Sequence, residues 1–218
     1  MDNSNNKKIN IKQVLIYIFF ALIIILGIFT NNNYNENNVN TNTSVKTEIS
    51  YSLENIPEYS DSPYVVINNN QPNFTDEDFL TDSFEYYSDL DEFGRCGFAF
   101  ANLSKETMPK DDESRKNLDS IIPSGWSDAK YDIVSGGKLY NKCHLIAFSL
   151  SAENLNNKNI ITGTRYFNLS GMLLFELKAL NYLKENDENH VLYRVTPFYD
   201  GKNKVASRCN NWNGICGR

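Results

Sequence analysis

The sequence predicts an α+β fold built mostly on an antiparallel sheet. Three runs rich in β-branched, aromatic or alternating residues lie at 139–146, 160–167 and 190–197. A helical pattern at 169–184 separates the second run from the third. There is no internal repeat and no regular alternation of strands with helices, so an α+β arrangement is favoured over a parallel α/β sheet.

The elements before residue 121 are shorter and more varied. Pro63–Ile67 reads as a short β-type run, and Gly94–Asn102 alternates as a strand does. Thr75-Asp-Glu-Asp78 has the form of a capping box, which predicts a helix continuing to about Tyr87. The charged segment 104–120 is expected to form a loop with a helical turn.

The second half places polar residues where the predicted elements end. The run 139–146 leads into His144, and Asn168 stands where it can cap the helix at 169–184. Apolar residues recur at helical spacing in that helix, at Leu169, Met172, Leu173, Leu180 and Leu183. His190 begins the last alternating run and most simply opens a strand there.

The N-terminal segment has the composition of a targeting sequence. Residues 14–29 carry no charge and follow Lys7, Lys8 and Lys12, which is typical of a signal anchor or a signal peptide. We expect three parts: a signal segment at 1–30, an Asn-rich flexible tether at 31–50 and a folded domain at 51–218. An uncleaved anchor gives a single-pass membrane protein with its C-terminal domain outside the cell, and cleavage gives a secreted one.

The charge is acidic overall and unevenly distributed. The formal net charge is −6, and the segment 76–92 has eight acidic residues and no basic one. Such a balance is not typical of a protein that holds nucleic acid by charge alone. Later segments are closer to neutral, so a local basic groove stays open.

Four cysteines in an exported chain permit disulfides. Cys209 and Cys216 enclose a short Asn- and Gly-rich segment and form the first candidate pair. Cys96 and Cys143 form the second, and the alternative for these two is a pair of buried free thiols.

Four residues form a constellation with a recognisable chemistry. His144 is followed by Asn159, Asn168 and Glu176 at intervals of 15, 24 and 32 residues. An imidazole can act as a base towards water, an amide oxygen is a ligand for a hard cation, and a carboxylate can orient water near that cation. This combination suits hydrolysis of phosphodiesters with one metal ion.

The order of these residues resembles the non-specific DNA/RNA endonuclease family, in its branch of DNA-entry nucleases. The resemblance runs from about residue 63 to 205 and depends on three motifs, at 140–146, 159–168 and 189–197. It implies the ββα-metal core of the His–Asn nuclease superfamily. It also implies further strands after the third motif, so the short tail predicts either a disulfide-closed segment in place of those strands or a domain that is shortened at its C-terminus.

The resemblance assigns roles residue by residue. His144 corresponds to the general base, and Asn168 to the one direct protein ligand of the metal. Asn159 corresponds to the residue that fixes the geometry of His144 and the phosphate. Glu176 corresponds to the carboxylate that holds metal-bound water.

Three cations complete the predicted site. Arg95 is the candidate that stabilises phosphate during catalysis, and Lys142 and Arg165 are candidates for substrate binding. Lys142 stands where relatives have arginine in an Asp-Arg-Gly-His motif, so the bidentate fork of arginine is missing here.

The expected activity is therefore sequence-non-specific endonuclease hydrolysis of DNA or RNA outside the cytoplasm. The sparse oxygen ligands favour Mg²⁺, with Mn²⁺ as a substitute, whereas zinc prefers more histidine or cysteine ligands. The expected partners are nucleic acid through its phosphates and the membrane through the N-terminal helix, with no sign of an obligate protein partner. The alternative is a decayed nuclease that acts as a non-catalytic, surface-anchored binding module.

Overall fold

The structure, a computed structural model, describes residues 61–80, 82–134 and 136–216. The signal segment predicted at 1–30 and the tether predicted at 31–50 lie outside the described residues. Within the described ranges, no helix is both long and apolar enough to span a bilayer.

The described chain contains six strands, all of which pair antiparallel. They are β1 Phe84–Tyr87, β2 Ala99–Leu103, β3 Tyr140–His144, β4 Ile160–Thr164, β5 His190–Phe198 and β6 Arg208–Cys216. Four of them form one sheet in the order β1-β2-β5-β6, and β3 and β4 form a separate two-stranded ribbon. The mixed fold with antiparallel sheets that the sequence predicts is confirmed.

Two α-helices and a π-helix connect and cover the strands. The short helix α1, Phe148–Ser151, follows β3, and a single 3₁₀ turn at Asn157–Asn159 precedes β4. A π-helix at Phe167–Met172 runs directly into helix α2, Leu173–Glu185. The order along the chain is therefore β3, β4, α2, with both strands of the ribbon directly before the long helix.

The core lies where the large sheet, the ribbon and α2 meet. Alternate residues of β2 and β5 point into it, and Ala99, Leu103 and Tyr193 are fully buried there. Met172 and Leu183 contribute from the helical segment. Burial of this apolar surface, at roughly 25 cal/mol per Å², fixes α2 against the sheet and so positions the helix that bears Asn168 and Glu176.

The predicted helix at 75–87 is wrong beyond its first turn. The capping box itself exists, since the Thr75 backbone N–H donates to Asp78 Oδ2 at 2.7 Å. Only the 3₁₀ turn Asp78–Leu80 follows it, and Phe84–Tyr87 pairs with β2 as a strand. The aromatic residues of this segment stack on the sheet, with Phe84 edge-to-face on Phe100 at 5.1 Å, and this packing outweighs the local helical signal.

The C-terminal tail is a strand instead of a disulfide-closed loop. In β6, Cys209 lies opposite Pro197 and Cys216 lies opposite His190. Seven residues of extended chain separate their backbones by about 24 Å, whereas a disulfide needs Cα atoms within about 7 Å. The Cys209–Cys216 pair is therefore wrong. Cys96, Cys143 and Cys209 are free thiols, as the alternative for Cys96 and Cys143 proposed.

Candidate active site

His144 ends strand β3 and is almost completely buried, with 6% of its surface exposed. Its Nε2 atom is buried without a hydrogen-bond partner among the described groups. Burial, and secondarily the nearby charge of Arg115, lower the pKa of His144 to about 4. The imidazole is therefore neutral near pH 7, and its Nε2 atom makes no hydrogen bond to the described groups.

Asn159 holds the backbone directly after His144. Its fully buried amide accepts from the Ile146 N–H and donates to the Ile146 carbonyl, both at 2.9 Å. Its own carbonyl accepts from the Leu145 N–H at 2.8 Å. These three bonds replace the strand ladder where β3 ends, so Asn159 fixes the turn that presents His144.

Asn168 lies inside the π-helix and does not cap a helix as the sequence predicts. The cap is Thr164, whose Oγ1 accepts from the Phe167 N–H at 3.0 Å. The Asn168 carbonyl accepts from the N–H of Leu173, five residues later, which is the π-type bond. Asn168 is half-buried, and its side chain does not cap the helix.

The π-turn changes which residues share a side of the helix. In an unbroken α-helix, Glu176 would project about 80° away from Asn168, eight residues earlier. The extra residue that a π-turn absorbs turns the helix back by about 100°, so both side chains project from nearly the same side. Asn168 and Glu176 are thus brought onto one face by the irregularity between them.

Glu176 lies in a setting that disfavours its charge. Burial raises its pKa to about 7, and the nearby charge of Arg115 only partly opposes this rise. Burial raises the pKa of Cys143, which belongs to β3, and the negative charge of Glu176 adds to that rise. The carboxylate therefore lies beside the ribbon that bears His144, and a further cation near it would stabilise its ionised form.

Arg115 is a residue of the candidate site that the sequence analysis missed. It belongs to the charged loop at 104–120 and is exposed, yet its charge acts on both His144 and Glu176. No motif marks it, because only the tertiary fold brings this loop to the ribbon. The nearest signal in the sequence is the pair Arg115-Lys116 in a loop that is otherwise rich in acids.

The three cations predicted from the sequence have different places. The guanidinium of Arg95 is only 14% exposed and donates to Asp91 at 2.7 Å and to the Gly201 carbonyl at 2.8 Å. These contacts account for its charge within the fold. Arg165 is exposed just after β4 and directs its Nε towards the turn at Gly136.

Lys142 lies on the same face of β3 as His144, two residues away. Its amine donates to the Leu118 carbonyl at 2.7 Å and lies 4.9 Å from the ring centre of Trp126. Lys142 also borders a groove of about 650 Å³, here called the basic groove. Its lining contains the basic residues Arg115, Lys116, Lys138 and Lys142 together with Asn117, Leu118, Asp119, Ile122, Trp126 and Asp128.

The residues of the candidate site offer three chemical capacities. His144 can accept a proton, Arg115 can meet an anion, and Asn168 and Glu176 offer oxygen ligands. His144 Nε2 has no partner among the described groups, and the buried Glu176 carboxylate is only partly compensated by Arg115. Both features are typical of a site that binds a cation and a polar reactant. Amide and carboxylate oxygens suit a hard divalent ion, so the residues present fit such an ion.

Comparison with known proteins identifies the class. The sequence profile of the DNA/RNA non-specific endonucleases matches residues 72–213, which is more than half of the chain. The protein belongs to the DNA/RNA non-specific endonuclease family.

A deoxyribonuclease of Streptococcus dysgalactiae subsp. equisimilis is 26% identical, over 61% of this chain and 52% of the relative. The chain thus spans about half the length of that relative.

Solved structures agree on the fold. The Sda1 nuclease with bound zinc ion is 26% identical with a TM-score of 0.53, over 61% of this chain and 70% of that one. NucA from Streptococcus agalactiae with no metal bound is 24% identical with a TM-score of 0.60, over 75% and 78% of the two chains. Its magnesium-bound form is 23% identical with a TM-score of 0.58, over 68% and 73%. The NucA structures support the fold alone.

Proposed function

We propose that this protein is a sequence-non-specific endonuclease that hydrolyses phosphodiester bonds of DNA or RNA, with His144 as general base and a divalent ion at Asn168 and Glu176. The observation that carries the proposal is the buried Nε2 atom of His144, which has no partner among the described groups, while the charge of Arg115 acts on both His144 and Glu176. A buried polar atom left unpaired by the fold costs about 1–3 kcal/mol, so the unpaired Nε2 atom indicates a functional role for His144.

Each residue has a separate role in the hydrolysis. The neutral His144 takes a proton from the attacking water at Nε2, and Asn159 keeps the imidazole in place through the Ile146 backbone. Arg115 opposes the negative charge that grows on the phosphate oxygens in the transition state. Burial is the main cause of the low pKa of His144 and the charge of Arg115 adds to it, so Arg115 also helps to keep the base unprotonated.

Asn168 would be the direct protein ligand of the ion, and Glu176 would orient water around it. When bound, the ion supplies positive charge that polarises the phosphate and stabilises the leaving oxygen. We propose Mg²⁺, with Mn²⁺ as a substitute, because the ligands are oxygen atoms. The zinc ion bound by Sda1 makes zinc a necessary arm of the test.

The basic groove gives the substrate a binding surface at Lys142, two residues from His144. It lies on the side of the ribbon that bears Lys142 and concentrates four basic residues in a protein whose net charge is −6. Phosphate contacts of this kind hold nucleic acid without reading its bases, as a non-specific enzyme requires. We further propose that the enzyme acts outside the cytoplasm, on the strength of the uncharged run at 14–29, and protease digestion of intact cells tests this.

The test of the function compares the full-length protein with its His144→Ala variant on supercoiled plasmid and on RNA. Parallel reactions contain Mg²⁺, Mn²⁺, Zn²⁺ or EDTA. Cleavage that needs a divalent ion and falls at least about 10²-fold in the variant, the lower range for a lost general base, supports the proposal. Undiminished cleavage by a folded His144→Ala protein would exclude His144 as the base. A folded wild type that cleaves neither substrate with any ion would favour a non-catalytic binding module.

A further inference from the structure

The loop that bears Arg115 is bound on both sides by residues that flank His144 in sequence. Lys142, two residues before His144, donates to the Leu118 carbonyl at 2.7 Å. Asn154, ten residues after it, accepts from the Lys116 N–H at 2.7 Å and donates to the Ser114 carbonyl at 3.4 Å. The two bonds of Asn154 therefore enclose Arg115 directly, on its N- and C-terminal sides.

The loop has a third attachment through its one buried side chain. Leu118 packs with Ile121 and Ile160 in a small apolar cluster, and Ile160 is the residue of β4 that pairs with His144. The loop also closes on itself, since the Asp119 N–H donates to Asn117 Oδ1 at 2.9 Å. The backbone around Arg115 is thus held to the same ribbon that presents His144, although the loop has no regular secondary structure.

We infer that Lys142 and Asn154 are positioning residues, which clamp the 114–119 loop so that the guanidinium of Arg115 stands ready at the scissile phosphate. This inference rests on the proposed nuclease function and assigns Lys142 a different task from the phosphate contact predicted from the sequence. The amine of Lys142 is half-buried and already bonded to a backbone carbonyl, beside the ring of Trp126. A side chain in that position orders the loop before the substrate arrives, and the ordering cost is then not incurred during reaction.

A direct phosphate contact and a clamp predict different kinetics. If Lys142 acts through Arg115, then Lys142→Met slows cleavage in the wild type but has little further effect once Arg115 is alanine. We expect about a tenfold loss of single-turnover rate for Lys142→Met alone and less than about twofold in the Arg115→Ala background. A lysine that meets phosphate itself would lose the same factor in both backgrounds.

The clamp also predicts a change that does not depend on catalysis. Hydrogen–deuterium exchange of the peptide covering 114–119 is expected to quicken severalfold in Lys142→Met and in Asn154→Ala, because each removes bonds that hold this backbone. Lys142→Arg keeps a donor and a charge, so it should restore most of the protection and of the rate. Lys138→Met removes an equal charge from the same groove and should leave the exchange of this peptide unchanged.

The experiment is carried out on the full-length protein with circular dichroism as a check on folding. Two results would overturn the inference: equal losses from Lys142→Met in both backgrounds, or unchanged exchange at 114–119 in both clamp variants. If Lys142→Met fails to fold, Asn154→Ala replaces it in the same cycle. If the wild type cleaves nothing, the proposed function fails, while the exchange measurement still decides whether the clamp exists.

Discussion

The fold favours the neutral forms of both His144 and Glu176. Burial lowers the pKa of the imidazole to about 4 and raises the pKa of the carboxyl to about 7. The folded protein therefore loses stability as the pH falls from 6.5 to about 4, where only an unfolded histidine would be protonated. It also loses stability as the pH rises from 4.5 to about 7, where only an unfolded glutamate would be ionised.

Replacing Glu176 with glutamine should stabilise the metal-free protein at pH 8 and impair cleavage. The rise in pKa from 4.5 to about 7 corresponds to at most about 3 kcal/mol, at about 1.4 kcal/mol for each pH unit. Denaturation in EDTA at pH 8 and at pH 4.5 measures the effect, which should be present at pH 8 and nearly absent at pH 4.5. Equal effects at both pH values would show that the charge of Glu176 is not the cause.

The sequence predicts that Arg95 stabilises phosphate, whereas its contacts in the structure indicate a role in stability. Its guanidinium links the turn at Asp91 to the loop at 201–203 and lies against Phe93 and Tyr199. We expect Arg95→Ala to lower the free energy of unfolding by about 1–3 kcal/mol, because the charge-assisted hydrogen bonds that connect the turn at Asp91 to the loop at 201–203 are lost. Cleavage at 20 °C should change less than about threefold, since the change touches folding and not the transition state.

The matched control for Arg95→Ala is Arg115→Ala, which should show the reverse behaviour. A large loss of kcat in folded Arg95→Ala protein would restore Arg95 to the catalytic set.

At the scale of elements, the ribbon β3–β4 brings together residues that lie far apart in the sequence. His144 closes one strand and Asn159 opens the other, and their pairing brings positions fifteen residues apart to the same end. Gly163 is needed for this packing, because a Cβ there would lie 2.8 Å from both Cys143 Sγ and Phe167 Cδ1. The ribbon is thus held tightly against the helix that supplies Asn168 and Glu176.

Asn159→Asp should destabilise the protein and do so most strongly at high pH. Aspartate still accepts from the Ile146 N–H, but its second oxygen faces the Ile146 carbonyl, where a donor is needed. We expect a loss of about 2–4 kcal/mol at pH 8, for a buried charge opposite an acceptor. As the pH falls, protonation supplies the missing donor, so the loss should shrink.

Urea denaturation of both proteins at pH 8 and pH 5 checks this prediction, with Asn156→Asp as a half-buried control that keeps its acceptor role towards the Lys158 N–H. An equal loss at both pH values would mean that the missing donor is not the cause.

Strong local patterns predicted the ribbon, α2 and β5, because each segment carries its own periodicity. The failures occurred where distant partners decide the structure. The segment Phe84–Tyr87 has a helical signal before it but a sheet beside it, and the Asn-rich β6 is a strand because β5 offers it an edge along nine residues. Arg115 has no local signature, and the π-turn at Asn168 reflects packing that no spacing rule contains.

At the scale of the whole molecule, the charge distribution sets how nucleic acid reaches the site. The net charge is −6 and the segment 76–92 has eight acidic residues and no basic one, so the protein as a whole repels a polyanion. Within the described residues, we expect attraction to be strongest at the basic groove, where Asp119 and Asp128 partly offset four basic residues. Long-range steering should therefore be weak and binding should depend on a few close contacts.

A shallow salt dependence follows from that distribution. Lys142 is bonded to the Leu118 carbonyl, which leaves Arg115, Lys116 and Lys138 to meet phosphates. Each neutralised phosphate contributes about −0.9 to the slope of log K against log salt on duplex DNA, so the slope should be no steeper than about −3. Binding of a labelled duplex by the inactive His144→Ala protein, at constant Mg²⁺ over a range of KCl, measures the slope. Arg115→Ala in that background should make it shallower by about 1, whereas a slope near −6 would mean that cations outside the groove contact the substrate.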